Sequence, residues 1–428
     1  MSAGFKYLDL SALPADWTAD HFGNLVDYSL GRTPPRNNPD HWKDGIYRWV
    51  SISDMTPYGV IEETAEKVSQ QAFDEVFRGR MAPKGTLLMS FKLTIGRISR
   101  LGVPAFHNEA IISFNPDPEK VSPEYLGYYL SQINYKDYQD TAIKGQTLNK
   151  GKLDSLEIAL PPLHEQKAIA HTLATVQRAI TAQERIIQTT TELKKTLMQK
   201  LFTEGLRGEP QKETEIGLVP ESWEVVELEE KADSFQYRAS VKCGHDVEGK
   251  PVLRIPNVVG GHVDISDLKF GKPKRNELGK LELEPGDLLF VRTNGVKENA
   301  GRCSIFYGEL ADCYFASYLI RVRLDPAILN PSFLNMYSRT DVGTSFLSGK
   351  AIRTADGKFN INSGTLKSML VPIPGIEEQE EIARTLEIVN KKTNNAVSRK
   401  SRLQELFGTL LHSLMTAQTR VHTIEITA

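Results

Sequence analysis

At 428 residues, 40% of them hydrophobic and 25% charged, the chain has the composition of a soluble globular protein with room for two or three domains. No run approaches 18 apolar residues, and the N-terminus MSAGFKYLDL has neither a basic n-region nor an apolar core, so no membrane contact is expected and a cytoplasmic location is. Cys243, Cys303 and Cys313 lack CxxC spacing, which argues against a disulfide framework or a zinc site, and a net charge of −2 means that any basic footprint for nucleic acid must be local or completed by other subunits.

In chain order, residues 1–160 read as a mixed module in which strands predominate, with the runs YRWVSIS, GTLLMSF and AIISFN. SPEYLGYYLSQI follows as a helix with Ser122 as N-cap and Pro123 in its first turn. After Pro161-Pro162, apolar positions Ile169, Leu173, Val176, Ile180, Ile187, Leu193, Leu197 and Leu201 recur at helical spacing, with no glycine or proline from Leu163 to Glu204. That predicts a helix of about 40 residues, roughly 60 Å long, within 161–204. Residues 205–217 are polar and glycine-rich and read as a linker. A second module spans 218–372, with PVLRIPNV, DLLFVR, YLIRVRL and a helix capped by Asn330; a second long helix lies within 373–417, and a tail occupies 418–428.

The two halves are copies. LPADW at Leu13 returns as VPESW at Val219, and PPLHEQKAIAHTL at Pro161 returns as PGIEEQEEIARTL at Pro374, displacements of 206 and 213 residues. Between them Arg48 matches Arg254, Leu87-Leu88 matches Leu288-Leu289, and Gly96-Arg97 matches Gly301-Arg302. Trp17 and Trp223 read as core anchors. The tail after Met415 has no counterpart of the glycine-rich hinge, which predicts an open pseudo-symmetry. The narrow apolar seam of each long helix suits a coiled coil. Antiparallel packing would place the modules at opposite ends of a rod; the alternative is that each helix folds back on its own module.

Catalytic parts are hard to find. GTSFLSGKA at Gly343 resembles a phosphate loop, but five residues rather than four separate its glycines and Ala351 stands where a magnesium-binding hydroxyl is needed. No S-adenosylmethionine loop, metal-spaced histidine pair or nuclease carboxylate cluster is apparent. What remains is a set of basic and amide side chains in glycine-rich segments, suited to base edges and phosphates. In the first module these are Arg32, Arg36, Lys92, Arg97, Lys144, Gln146, Thr147, Asn149 and Lys150. In the second they are Arg238, Arg292, Asn294, Lys297, Arg302, Lys350, Arg353, Lys358 and Asn360.

The strings LPPLHEQKAIAHTL, EGLRGE…ETEIGLVPESWEV and IPGIEEQEEIARTL, in this order, resemble the specificity subunit of type I restriction-modification systems. The resemblance implies an α+β fold of two pseudo-symmetric, sheet-rich target recognition domains separated by two long helices forming an antiparallel coiled coil. It implies a non-catalytic subunit that reads a bipartite site in double-stranded DNA. Methyltransferase subunits are then expected to bring S-adenosylmethionine, and motor-nuclease subunits ATP hydrolysis and magnesium. Glu165, Gln166, Ile169 and Ala170, with Glu378, Gln379, Ile382 and Ala383, match the helix-start motif and are expected to be scaffold and methyltransferase-docking residues. Competing readings are a self-sufficient DNA methyltransferase or restriction enzyme, against which the missing motifs count, and a coiled-coil assembly protein without DNA, against which the differing basic loops count.

Overall fold

The structure is a computed structural model that describes residues 13–92, 94–135, 140–142, 145–147, 150–237, 243–245, 247–273 and 279–421, the side chains of 140–147 excepted. Two compact units emerge, and they do not follow the linear order of the segments. Unit 1 combines residues 1–184 with 398–428, and unit 2 is residues 185–397. Each therefore holds one module and part of both long helices.

The central strand of each module is Leu87–Ser90 in unit 1, apolar up to its last residue, and the wholly apolar Leu288–Val291 in unit 2, and all four residues of each are buried. Alternation sends its side chains into two layers. Leu87 and Met89 pack with Tyr125, Leu126 and Tyr129 of the helix Pro123–Ser131, while Leu88 faces Val50, Met55 and Ile111. In unit 2, Leu288 and Phe290 join Phe333 and Leu334, and Leu289 and Val291 join Val252 and Phe315. The sheet order in unit 1 is Val26–Leu30, Ile111–Pro116, Leu87–Ser90, Ile98–Leu101, Gly59–Ile61; in unit 2 it is Ala232–Gln236, Leu319–Leu324, Leu288–Val291, Cys303–Ile305. The registers coincide: Leu88 lies opposite Ser99 and Ser113, and Leu289 opposite Ser304 and Arg321.

A second sheet in each unit contains a parallel pair, Trp49 beside Phe106 and Val252 beside Tyr314. This pairing corrects the match of Arg48 with Arg254. Counting from it, the residue equivalent to Arg254 is Ser51, and each of these two opens a short helical turn whose carboxylate or amide, Asp54 or Asn257, bonds back to its backbone N–H. The duplication is real, but a single matching arginine was a poor guide to register.

Each module is closed by a ladder of its first and last strands, Thr18–His21 with Glu157–Leu160 and Glu224–Glu227 with Leu370–Ile373. The long helices begin directly beyond, at Leu163–Glu204 and Ile376–Met415. Within each unit they pair antiparallel. In unit 1, Ile169, Leu173 and Ile180 share a core with Phe407, Leu411, Leu414 and Met415, and Lys400 reaches Glu184 at 3.0 Å. In unit 2, Met198, Leu201 and Phe202 meet Ile382, Ala383 and Leu386, and Thr393 donates to Thr190 at 2.8 Å. Ser122 and Asn330 cap their helices as expected, accepting from the Tyr125 and Phe333 amides.

Two expectations from the sequence need correction. The segment read as a linker is mostly a β-hairpin, Gln211–Thr214 with Gly217–Pro220, turned by Gly217 at φ +98°. The glycines of GTSFLSGKA, already rejected as a phosphate loop, lie inside a helix, Asp341–Gly349, capped by Thr340. The tail also has a structural role. Arg420, displaced by 213 residues from Arg207, does in unit 1 what Arg207 does in unit 2, and the repeat continues past the end of the second helix.

Candidate nucleic-acid interface

In unit 2 the fold gathers candidate residues that are about fifty positions apart. Thr293–Asn294 pairs with Phe359–Asn360, which pairs in turn with Ile352–Arg353, so a three-stranded sheet joins the segments 292–302 and 350–360. The Ile361 amide donates to the Arg292 carbonyl at 2.9 Å and fastens one to the other. Arg353, Lys350 and Lys297 are exposed and have no side-chain partner among the described residues. Lys358 is exposed but bound to Asp356 at 2.9 Å across the hairpin turn; the Thr354 hydroxyl and then Lys358 hold the Asp356 carboxyl down to about 2.

Other candidates in unit 2 have local work. Arg292 donates to the Ser317 carbonyl at 3.2 Å, and Arg302 donates to that of Glu298 at 3.3 Å. Asn294 accepts from the Val296 amide at 2.9 Å, an Asx turn that shapes the loop. The Asn360 side-chain oxygen is buried without a hydrogen-bond partner among the described residues. Sequence reasoning missed three large exposed side chains around this sheet: Val296, Tyr318 and Ile352, the last 66% exposed. An isoleucine flanked by Lys350 and Arg353 was the available signal, because a core-facing strand residue is seldom bracketed by charges.

Unit 1 is less uniform. Arg36 makes two bonds to Glu66, at 2.5 and 2.9 Å, and lies 3.8 Å over the Trp42 ring, and the Glu66 carboxylate holds its pKa above the ordinary value. Arg97 donates to the Ile52 and Met55 carbonyls at 3.0 and 3.2 Å. Both are engaged within the fold, Arg36 while its side chain stays 53% exposed and Arg97 half-buried. Arg32 is exposed, with one bond to the Val76 carbonyl. Lys92 rides over Phe91, and Lys150 over Tyr28 at the edge of a cleft of about 540 Å³ that also takes in His21, Asn24 and Asp27. The strands Asp140–Ala142 and Gly145–Thr147 form a hairpin displaced by about 213 residues from that of unit 2. Lys144, Asn149 and Arg238, and the side chains of Gln146 and Thr147, lie outside the described residues.

The helix-start residues are all buried in their own units. Glu165, 5% exposed, accepts from the Trp17 indole at 3.2 Å and from Arg420 at 2.6 and 2.7 Å; Glu378 accepts from the Trp223 indole at 3.4 Å and the Leu206 amide at 2.8 Å. Gln166 accepts from the Ser122 amide and donates to the Lys120 and Pro161 carbonyls, and Gln379 repeats the pattern with Asn330, Ile328 and Pro374. Ile169, Ala170, Ile382 and Ala383 are core. These eight residues tie each helix to its module, and their burial leaves none of their side chains a surface on which a partner could dock.

The family model of the type I restriction modification DNA specificity domain matches this chain twice, over residues 14–192 and 220–405. The chain belongs to that family. Among its relatives, the type I restriction enzyme EcoKI specificity subunit of Escherichia coli strain K12 is 26% identical over 326 residues, 71% of this chain and 68% of that one. The MjaVIII specificity subunit of Methanocaldococcus jannaschii is 24% identical over 438 residues, 97% and 96% of the two chains. In fold, the chain is similar to the type I restriction-modification S subunit of M. genitalium, with a TM-score of 0.63 at 15% identity, covering 94% of this chain and 98% of that one. The two matches of the family model fall on the two halves of the duplication, each running from the start of a module into the long helix that follows it.

Proposed function

We propose that this specificity subunit reads a bipartite site in double-stranded DNA, one half through each module, within a type I restriction-modification complex. The chemistry is then supplied by others: methyltransferase subunits with S-adenosylmethionine, and motor-nuclease subunits with ATP and magnesium, acting on DNA in the cytoplasm. The observation that best supports the reading surface is the three-stranded sheet of unit 2. It holds Arg353, Lys350 and Lys297 exposed and without side-chain partners among the described residues, beside Asn294, and arginine and asparagine are the side chains that bond guanine and adenine edges in the major groove. In unit 1 the corresponding hairpin and Lys150 take that part.

The test is base-resolution methylation mapping in cells carrying this chain with its partner subunits. Replacing residues 20–160 by the corresponding part of a relative is expected to change one half of the target and leave the other. Arg353→Ala is expected to weaken recognition of the other half by about tenfold or more, as loss of a base contact of about 1–3 kcal/mol implies. Alteration of both halves by the exchange, or of neither, would refute independent reading. An Arg353→Ala protein of undiminished selectivity would remove the sheet from the interface. Methyl transfer by the purified chain alone would sink the non-catalytic assignment.

A further inference from the structure

The repeats differ most tellingly at one place where they ought to agree. In unit 1, Tyr58, Tyr128 and Phe407 pack as an aromatic plug, with ring centroids 5.0 to 6.1 Å apart and the Tyr58 hydroxyl donating to Ser131 at 2.9 Å. The strand registers and helix displacement identify their counterparts in unit 2 as Gly261, Met336 and Lys194, with Arg339 in place of Ser131. Tyr58 and Gly261 even share a left-handed backbone, at φ 60° and 92°. With the aromatic rings gone, unit 2 has a cavity of about 490 Å³ at this point, lined by both long helices and the module.

The lining is polar and mostly positive. Lys194 and Arg339 both face it, with Lys391 and the single carboxylate of Glu387, which already accepts from the Tyr307 hydroxyl at 3.0 Å. Arg339 donates to the Cys303 carbonyl at 3.3 Å, and neither it nor Lys194 has an ion pair among the described residues. Burial and then the Arg339 guanidinium push the Lys194 ammonium down to about 8, and burial lowers Arg339 as well. Two like charges withdrawn from water together are costly without a counter-charge. Asn335, 1% exposed, donates to the Gly261 carbonyl at 2.8 Å and leaves its own oxygen without a donor among the described residues.

We infer that this cavity is a binding site for a phosphate-bearing small molecule, with the phosphate between Lys194 and Arg339. A phosphate dianion matches two cations and offers several acceptor oxygens, and an arginine fork suits it geometrically. The volume lies in the usual range for small-molecule sites, so there is room for the group that carries the phosphate as well. Asparagines on the second helix, Asn390, Asn394 and Asn395, supply the polar surround. Occupied, the site ties the second module to both helices of its unit, the task that direct aromatic packing performs in unit 1.

The experiment is calorimetric titration of the full-length chain with inorganic phosphate and with AMP, at pH 7 and constant ionic strength. Saturable binding near one equivalent is expected for AMP. Lys194→Gln and Arg339→Gln should each weaken it at least tenfold, and Gly261→Tyr with Lys194→Phe, which puts two of the three rings back, should abolish it. Without ligand, Lys194→Gln should melt no lower than the unsubstituted chain, because it removes one of two opposed like charges. Failure of both probes to bind, binding untouched by the substitutions, or a lower melting point for unliganded Lys194→Gln would overturn the assignment. Displacement of AMP by a short DNA duplex would overturn it too, by assigning the two cations to the DNA backbone.

Discussion

Replacing the two equivalent arginines by alanine should have unequal effects, and the size of the difference follows from what each touches. Arg420 reaches Glu165 through Nε and Nη2 at 2.6 and 2.7 Å and Asp16 through Nη1 and Nη2 at 3.0 and 2.6 Å. These bonds join the tail, the start of the first helix and the start of the chain's first module. In Arg420→Ala, Glu165 remains buried with the Trp17 indole as its donor among the described residues. Removing one partner of a buried pair typically costs about 3–5 kcal/mol. Arg420 is itself 23% exposed, and solvent screening brings the expectation down to about 2 kcal/mol.

Arg207 stands farther from Glu378, at 3.6 Å, with its side chain 58% exposed, and Glu378 keeps the Leu206 amide and the Trp223 indole without it. Arg207→Ala should therefore cost less than about 1 kcal/mol. Hydrogen exchange read by mass spectrometry on peptides covering Trp17 and Glu165 should show opening about thirtyfold more frequent in Arg420→Ala, the factor that about 2 kcal/mol sets. Peptides around Trp223 and Glu378 in Arg207→Ala should change about fivefold or less. Equal effects, or a larger one at Arg207, would refute the view that the tail closes unit 1.

The buried glutamines should behave alike, because their bonds are alike: Gln166→Ala and Gln379→Ala each strand a backbone N–H and two carbonyls and should cost about 3 kcal/mol, measured by urea denaturation. His107 supplies a pH dependence. Burial lowers its pKa to about 4, so the unfolded chain gains a proton below about 6.5 that the folded chain refuses; stability should be full above 6.5 and fall by up to about 3 kcal/mol as pH drops toward 4. Tryptophan fluorescence follows it, since Trp17, Trp42 and Trp49 lie in unit 1, and His107→Gln should flatten the decline.

The scaffold was legible in the sequence for a physical reason: it is written in periodicities and pairs that survive without tertiary knowledge. Ile169, Leu173 and Leu201 of the seam, the prolines before each long helix and the Ser122 and Asn330 caps each follow from local rules, and the structure has them where those rules put them; Leu193, read into the same seam, is 47% exposed. The reading surface was only partly legible. Arg36, Arg97 and Arg353 are alike as letters, yet one is held by Glu66 over a tryptophan, one props two backbone carbonyls, and one is open to solvent. Whether a basic side chain is engaged within the fold is decided by which carbonyl or carboxylate the chain brings beside it, and no local pattern carries that.

Where the duplication misled, it did so through similarity of letters, and where it informed, it did so through position. Arg48 and Arg254 look alike and are not equivalent; Arg207 and Arg420 sit in dissimilar strings and do the same job, because each must lie a fixed distance past its long helix to reach the glutamate of the other. The same positional reading sets Lys194 against Phe407 and Gly261 against Tyr58, and shows a plug in one unit opened into a charged cavity in the other. Substitution of an aromatic by a lysine at a site facing an arginine costs stability on its own. That unit 2 carries both cations where its counterpart carries an aromatic and a serine is the reason to look for an anion there rather than for a defect in packing.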